Sequence, residues 1–482
     1  MMPNSNILNS PIIVRDYETS GLSAIYDQIL TSSAKRYKDG VIDDQIYLSC
    51  RCESSRLPSP YALMINGHTQ QALESGMPLR DLLEADFTFN EKYPGDFILA
   101  YNAKFDFNFS FNSYYQGIIS PSWYAWKINN KLICALEILK TIYTFKKDIN
   151  DINIPLDLFS SPNFRLERVC QDNGISYSAH NASEDVDATH QVFELMKIES
   201  PEIVTQAFKC ANKQFVKNII NFNQFFCTSV GVREELHSRI LAPLAWNSQG
   251  NEVICCDIAA INPRDISNIS SWDVYLQTQE YRLDNWLVKI PINKGKVFFD
   301  EEAFSSCYNP SNLGVQQLKL RADALRVNLK FKDVCKGAFT FFEERYASSL
   351  FDDSLEKSIF QNFSTPNEAH FINSFNELPW TERWAYINTN NLLDRSNRIS
   401  RLARKLVLEY DISLAPENIQ RSYIKHCNER LFDINSKKTL PWNNISRVIE
   451  EISILKRDRP DDIKRIKDIE NYFDARLAIK YI

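Results

Sequence analysis

Apolar and polar positions are most informatively arranged near the start of the chain, where Ile12-Ile13-Val14 runs into Arg15-Asp16-Tyr17-Glu18-Thr19. The β-branched run predicts a strand, and alternate residues of a strand face the same way, so Asp16 and Glu18 share a face. A second strand is expected at Gln45 to Cys50, a turn at Leu57-Pro58-Ser59-Pro60, and a helix after Asn66-Gly67 with Thr69 as its N-cap. Phe97 to Tyr101 reads as a buried strand, with Asp106 at the start of the helix that follows. An amphipathic helix opens at Phe164-Arg165-Leu166 and stops near Asn173-Gly174. His180 then falls in a loop, and Asp185 in the first turn of a helix that Ser183 could cap. Apolar and basic residues alternate over 200–225, as in a helix joining domains. Strands are expected at Leu241–Trp246, Glu252–Asp257, Trp286–Ile290 and Lys296–Phe299, and from about 345 the pattern is helical and poor in glycine. Strands and helices mixed in this way predict an α/β chain.

Composition narrows the class. The chain has 482 residues, 44% of them hydrophobic and 12% aromatic, which suits two to four globular domains. A net charge of −6 gives no global basic footprint for nucleic acid, yet leaves room for an enzyme whose site carries its own cations. The eleven cysteines form no Cys-x-x-Cys spacing; Cys50, Cys52, Cys255 and Cys256 are expected to pack as small hydrophobes in a reducing cytoplasm. No apolar run approaches the length of a membrane span.

Asp16 and Glu18, side by side, repel one another unless a proton or cation intervenes. A hard divalent cation with oxygen ligands is the natural partner, though a solvated strand edge would look the same. For Asp106 alone the plain reading is a helix N-cap, and for His180 alone a surface residue. Asp-x-Glu on the first strand, an Asp after a later strand, and His180-x4-Asp185 entering a late helix nonetheless form an ordered set.

That set resembles the proofreading-exonuclease superfamily in its branch with a histidine base. Within it the chain is similar to the exonuclease I family, bacterial single-strand-specific 3′→5′ exodeoxyribonucleases. The resemblance is carried by Asp16-Tyr17-Glu18-Thr19, Tyr101-Asn102 through Asp106, Asn163 to Glu167, Asn173-Gly174-Ile175 and His180 to Thr189. It extends to Ala242-Pro243-Leu244-Ala245-Trp246 and Ile292-Asn293-Lys294, weakening past about residue 340. It implies an RNase H-like exonuclease domain over 1–200, an SH3-like β-barrel over 201–345 and a C-terminal helical domain over 346–482. The last two would close the first into a C-shaped clamp. It implies two Mg²⁺, with Mn²⁺ as a substitute: Asp16, Glu18 and Asp185 would hold one ion, Asp16 and Asp106 the other. His180 would take the proton of the attacking water. Glu18, Trp126, Arg165, Lys213 and Asn293 match positions that contact the strand. The implied partners are single-stranded DNA and the acidic C-terminal tail of single-stranded-DNA-binding protein, met by a monomer serving repair and recombination.

The chain departs from the pattern in three places. Arg15 stands where the family has His, Cys134 where many superfamily members have Asp, and 107–119 is unusually aromatic. Other readings stay open for single residues. Trp126 sits in Ser122 to Lys127, which could be a base-stacking platform or an aromatic core cluster. Arg165 could instead pair with Glu167. Arg395, Arg398, Arg401, Arg404 and Lys405 recur at helical spacing as a basic face, which could be merely solvated, a wall along phosphates, or a seat for an acidic peptide. Two rival functions share the motif: an exoribonuclease, and an inactive copy that caps DNA ends.

Overall fold

The computed structural model describes residues 7–119, 131–146, 152–157, 161–176, 181–231, 236–266, 269–279, 284–292, 295–303, 313–350, 354–360, 365–432 and 440–479. The first region is built on a five-stranded sheet. Its strands are β1 (Ile12–Thr19), β2 (Ile29–Lys38), β3 (Val41–Ser49), β4 (Phe97–Ala100) and β5 (Leu132–Cys134), in the order β3-β2-β1-β4-β5. β1 pairs antiparallel with β2 and parallel with β4, so the Asp-x-Glu strand is the middle one.

Burial explains why β1 carries the site. All of its residues are buried except Asp16 and Glu18, the two on the shared face. One core layer joins Val14, Leu99 and Ile133 to the helix Ala182–Glu199 through Val186, Val192 and Phe193. The other joins Tyr17, Ile98 and Leu132 to Leu82, Phe109 and Tyr114 of the helices Leu79–Lys92 and Ala103–Gln116. The aromatic segment after Asp106 is therefore largely core: Phe109 and Tyr114 are fully buried, because the helix lays that face on the sheet.

Several expected elements shift in detail. Leu57 to Pro60 leads straight into a helix, Pro60–Asn66, with Ser59 as its cap and Pro60 at its first position, where a missing N–H costs nothing. Thr69 caps Gln70–Ser75 as expected. The helix carrying Asp185 starts at Ala182 and is capped by Asn181, whose side chain accepts from the Ser183 amide, rather than by Ser183. The segment 200–225 is two helices, Pro201–Cys210 and Lys213–Phe222, separated where Asn212 caps the second.

The middle region holds an antiparallel sheet of β6 (Phe226–Val230), β7 (His237–Trp246), β8 (Glu252–Asp257) and β9 (Leu287–Pro291) in sequential order. Val297 to Phe299 adds a bridge from Phe299 to Cys227 of β6, so among the described residues the expected barrel is represented by a four-stranded sheet and this bridge. Cys255 and Cys256 are buried on β8, and the ten described cysteines are all free. From Val315 to Ile479 the elements among the described residues are all helical, and Leu329–Leu350 runs through the boundary expected at 345. The last helices, Ile445–Asp458 and Ile463–Ile479, pack Ile452, Ile466 and Phe473 against Leu30, Leu57, Leu63 and Leu73 of the first region. Among the described residues, no helix is long and apolar enough to cross a membrane.

Candidate active site

Three of the five expected catalytic residues are brought together directly. Ligand oxygens of Asp16, Glu18 and Asp185 all lie within 4.8 Å of one another. β1 supplies the first two from one face, and the first turn of Ala182–Glu199 brings Asp185 onto that face. The fourth, Asp106, is 5% exposed in the first turn of Ala103–Gln116, just beyond the carboxyl end of β4. That is where a parallel sheet gathers its functional groups. His180 lies outside the described residues, as do Trp126 and Asn293.

The electrostatics identify the group as a single site. Burial pushes the Asp16 carboxyl well above its ordinary range, and the charges of Asp106, Glu18 and Asp185 add to the effect. Glu18 is raised to about 7 by burial and then by Asp185 and Asp106. Asp106 is raised to about 7 by burial, against the Arg15 guanidinium and the amides of Asp106 and Tyr17, which favour its charged form. Four carboxyl groups crowded in a poorly solvated place resist ionising together, and a divalent cation removes that penalty by supplying the missing positive charge. An all-oxygen donor set of this kind fits Mg²⁺ or Mn²⁺ rather than a thiophilic metal.

The opposite face of β1 holds the carboxylates in place. Asp86, fully buried on Leu79–Lys92, accepts from the Tyr17 hydroxyl at 2.7 Å, the Ser32 hydroxyl at 2.6 Å, Arg15 and Tyr114. Arg15 donates also to Asn90 at 3.1 Å. Where the resemblance leads one to expect His, this chain thus has a cation locked to a buried carboxylate one residue from Asp16. Cys134 is likewise internal: it is 2% exposed and its thiol is pushed up to about 11, first by burial.

A cavity of about 480 Å³ opens beside Glu18. Its walls include Leu22, 89% exposed, with Tyr61, Ile65 and Phe105, and polar groups from the far end of the chain, Asn443 and Arg447. Sequence reading missed these residues. The signal for Leu22 was present, an apolar residue in the turn Ser20-Gly21-Leu22-Ser23 right after the motif. Asn443 and Arg447 carry no local signal, since only the packing of the last helices brings them here.

The expected strand contacts fare unequally. Arg165 is exposed at the N-cap of Leu166–Asp172 and, among the described residues, has no ion-pair partner, Glu167 included. Lys213 is half-buried in the first turn of Lys213–Phe222, its ammonium pushed down by burial and by Lys217. Neither lines the cavity beside Glu18. The basic face of Arg398–Tyr410 is partly internal: Arg398 pairs with Glu368 at 3.1 Å and Lys405 with Glu356 at 3.6 Å.

No protein-family model matches the chain. Among curated proteins it is 24% identical to exodeoxyribonuclease I of Haemophilus influenzae over 391 residues, 76% of this chain and 80% of that one. It is 28% identical to exodeoxyribonuclease I of Escherichia coli over 281 residues, 56% of this chain and 58% of the relative. Among solved structures it superposes on E. coli exonuclease I in complex with a dA16 oligonucleotide with a TM-score of 0.80 at 20% identity, covering 97% of this chain and 100% of that one. The resemblance read from the motif thus holds at the level of the whole fold, including the middle and C-terminal regions where motif signals fade.

Proposed function

We propose that this chain, a homologue of the exodeoxyribonuclease I proteins, is a divalent-metal-dependent 3′→5′ exonuclease that releases 5′-mononucleotides from single-stranded DNA. The observation that carries the reading is the convergence of Asp16, Glu18 and Asp185 within 4.8 Å beside a cavity that can admit a strand end.

Asp16, Glu18 and Asp185 would hold one Mg²⁺, and Asp16 with Asp106 a second. Bound there, the ions supply activation of the attacking water and stabilisation of the departing 3′ oxygen. The chain's own residues do the rest. His180 takes the proton of the attacking water on an imidazole nitrogen, a role suited to a group titrating near neutrality. The Asp86 network fixes β1, so that Asp16 and Glu18 do not have to be reorganised as charge develops. Leu22 and Phe105 offer apolar surface to the terminal bases, and Arg447 offers a cation to the phosphates. Trp126, Arg165, Lys213 and Asn293 are proposed contacts farther along the strand. The parts after about residue 200 would retain the strand between cuts, with the last division falling outside the helix Leu329–Leu350 rather than at 345. A role in repair and recombination in the cytoplasm, with the acidic tail of single-stranded-DNA-binding protein as partner, goes with the same reading.

The test uses a 5′-labelled single-stranded DNA oligomer, its hairpin duplex and an RNA of the same sequence, each with Mg²⁺ and with EDTA. A ladder shortening from the 3′ end, on single-stranded DNA only and only with Mg²⁺, is expected. Cleavage of the RNA but not the DNA would transfer the assignment to an exoribonuclease, and binding without cleavage to an end-capping protein.

A further inference from the structure

A second cavity, of about 700 Å³, lies between the first region and the C-terminal helices and shares no lining residue with the one beside Glu18. Its size is that of a small-molecule site. The two cavities meet across one short segment: Pro441 and Asn443 line the first, and Trp442 lines the second.

The charge of the second cavity is opposite in sign to that of the molecule. Arg401, Arg404, Lys405 and Arg430 stand against Glu356 and Glu429, a formal surplus of two positive charges in a chain of net charge −6. Lys405 and Arg430 are engaged with Glu356, the latter at 2.8 Å. Arg401 and Arg404 are not, and they sit three residues apart on one helix, side by side on its surface. Arg404 gives one nitrogen to the Arg395 carbonyl at 2.9 Å, while its other terminal nitrogen is buried with no hydrogen-bond partner among the described residues. The Arg430 Nε and the hydroxyl of Ser55, a residue only 3% exposed, are also buried with no partner among the described residues, and both residues line this cavity. What sets these donors apart is their place: three separate segments bring them to the wall of one cavity, where they can serve a common acceptor. An anion with several oxygens meets that need, and the guanidinium fork matches the geometry of phosphate and of carboxylate. Beside the donors, Leu408 and Trp442 give an apolar and aromatic wall.

We propose that this cavity binds a nucleoside 5′-monophosphate, with the phosphate drawn to Arg401 and Arg404 and the base lying by Trp442. The choice of nucleotide rests on the proposed reaction, whose product is that molecule and is released on the other side of the 441–443 segment. Product held here would touch the same segment that walls the substrate cavity.

The experiment is calorimetric titration of the full chain with deoxyadenosine 5′-monophosphate in EDTA, which leaves the carboxylate site without metal. Deoxyadenosine, inorganic phosphate and a single-stranded oligomer serve as further titrants. One site per chain is expected, weakened by about tenfold or more in Arg404→Gln and in the exposed Arg401→Gln, and unchanged in Asp185→Asn. Deoxyadenosine should not bind, and inorganic phosphate should bind more weakly than the nucleotide. Equal affinity in wild type and both arginine variants, with both variants folded by thermal unfolding, overturns the proposal. So does loss in Asp185→Asn alone, which would put the nucleotide beside Glu18. Equal binding of phosphate and nucleotide would reduce the site to an anion site, and binding of the oligomer alone would make it part of the strand path; either refutes a mononucleotide site. Cleavage of single-stranded DNA is measured separately, so failure of the nuclease reading and failure of this site are told apart.

Discussion

At the scale of single residues, the site is defined by carboxyl groups whose charges oppose one another, and that gives a direct test. Asp185→Asn keeps the shape and removes one charge. Cleavage is expected to fall by roughly 10²–10³-fold or more, the scale of losing one preorganised charge-stabilising group. Strand binding should persist or tighten, because one repulsion toward phosphate is gone. Single-turnover cleavage beside fluorescence anisotropy separates the two, and parallel losses of both would refute the assignment. Leu22 makes a different prediction. At 89% exposed it contributes almost nothing to the core, so Leu22→Ala should leave thermal stability unchanged. If its side chain is covered by a terminal base, kcat/KM should fall by about 1–2 kcal/mol, roughly 5–30-fold. An unchanged kcat/KM would remove Leu22 from the substrate path. The motif residues were legible because Asp-x-Glu on a strand and an Asp opening a helix are local patterns. Arg15 was legible only as a departure. Its meaning, a buried pair with Asp86, depends on a residue 71 positions away that no local pattern connects to it.

At the scale of elements, the sequence revealed strands and helices better than their ends. Asn181 rather than Ser183 caps the Asp185 helix, since both residue types cap well and only backbone geometry chooses between them. Val297 to Phe299 looked like a strand by composition, yet makes a single bridge, because β-propensity reports a half-buried surface rather than a ladder. The basic face of Arg398–Tyr410 was legible as a face, while its partners Glu356 and Glu368 lie on elements far away in sequence. Glu356 turns that packing into a pH dependence. Burial alone would raise its carboxyl, but Lys405, Arg430, its own backbone amide and Arg56 outweigh it and hold the group at about 2, against an ordinary 4.5. A carboxyl depressed on folding stabilises above its unfolded value, and the contribution is lost as pH falls from about 4.5 toward 2. The full effect is on the order of 3 kcal/mol. Glu356→Gln should therefore lower stability most near neutral pH, with the gap from wild type narrowing through that acid window. Urea unfolding across pH measures it, and a gap independent of pH would show that Glu356 acts by packing alone.

At the scale of the whole molecule, the described regions are bound into one body through shared cores. The first core layer runs without a break from Val14 and Leu99 of the five-stranded sheet to Ile240, Ile254 and Leu287 of the second sheet. The helix Pro201–Cys210 sits at the junction. Phe208 packs edge-on against Phe97 of β4 at 4.8 Å and near Phe193 of the Asp185 helix at 6.0 Å. From the same helix Gln206 donates to the Phe298 carbonyl at 2.5 Å, and Cys210 joins the core of the second sheet. A sequence reading could place a linking helix here but not its double attachment, since the partners lie about 100 residues to either side. The proposed strand-retaining function needs the parts of the chain to stay in register, and a helix fixed at both faces meets that need better than a flexible linker. The consequence is cooperative unfolding. Phe208 is 2% exposed, so Phe208→Ala should cost about 3–5 kcal/mol. Because the cavity opens in a core common to both sheets, hydrogen exchange should accelerate together in β4 and β6, and denaturant unfolding should remain a single transition at a lower midpoint. Acceleration confined to β4, or a transition split in two, would mean that the sheets are separate folding units joined only by a passive helix.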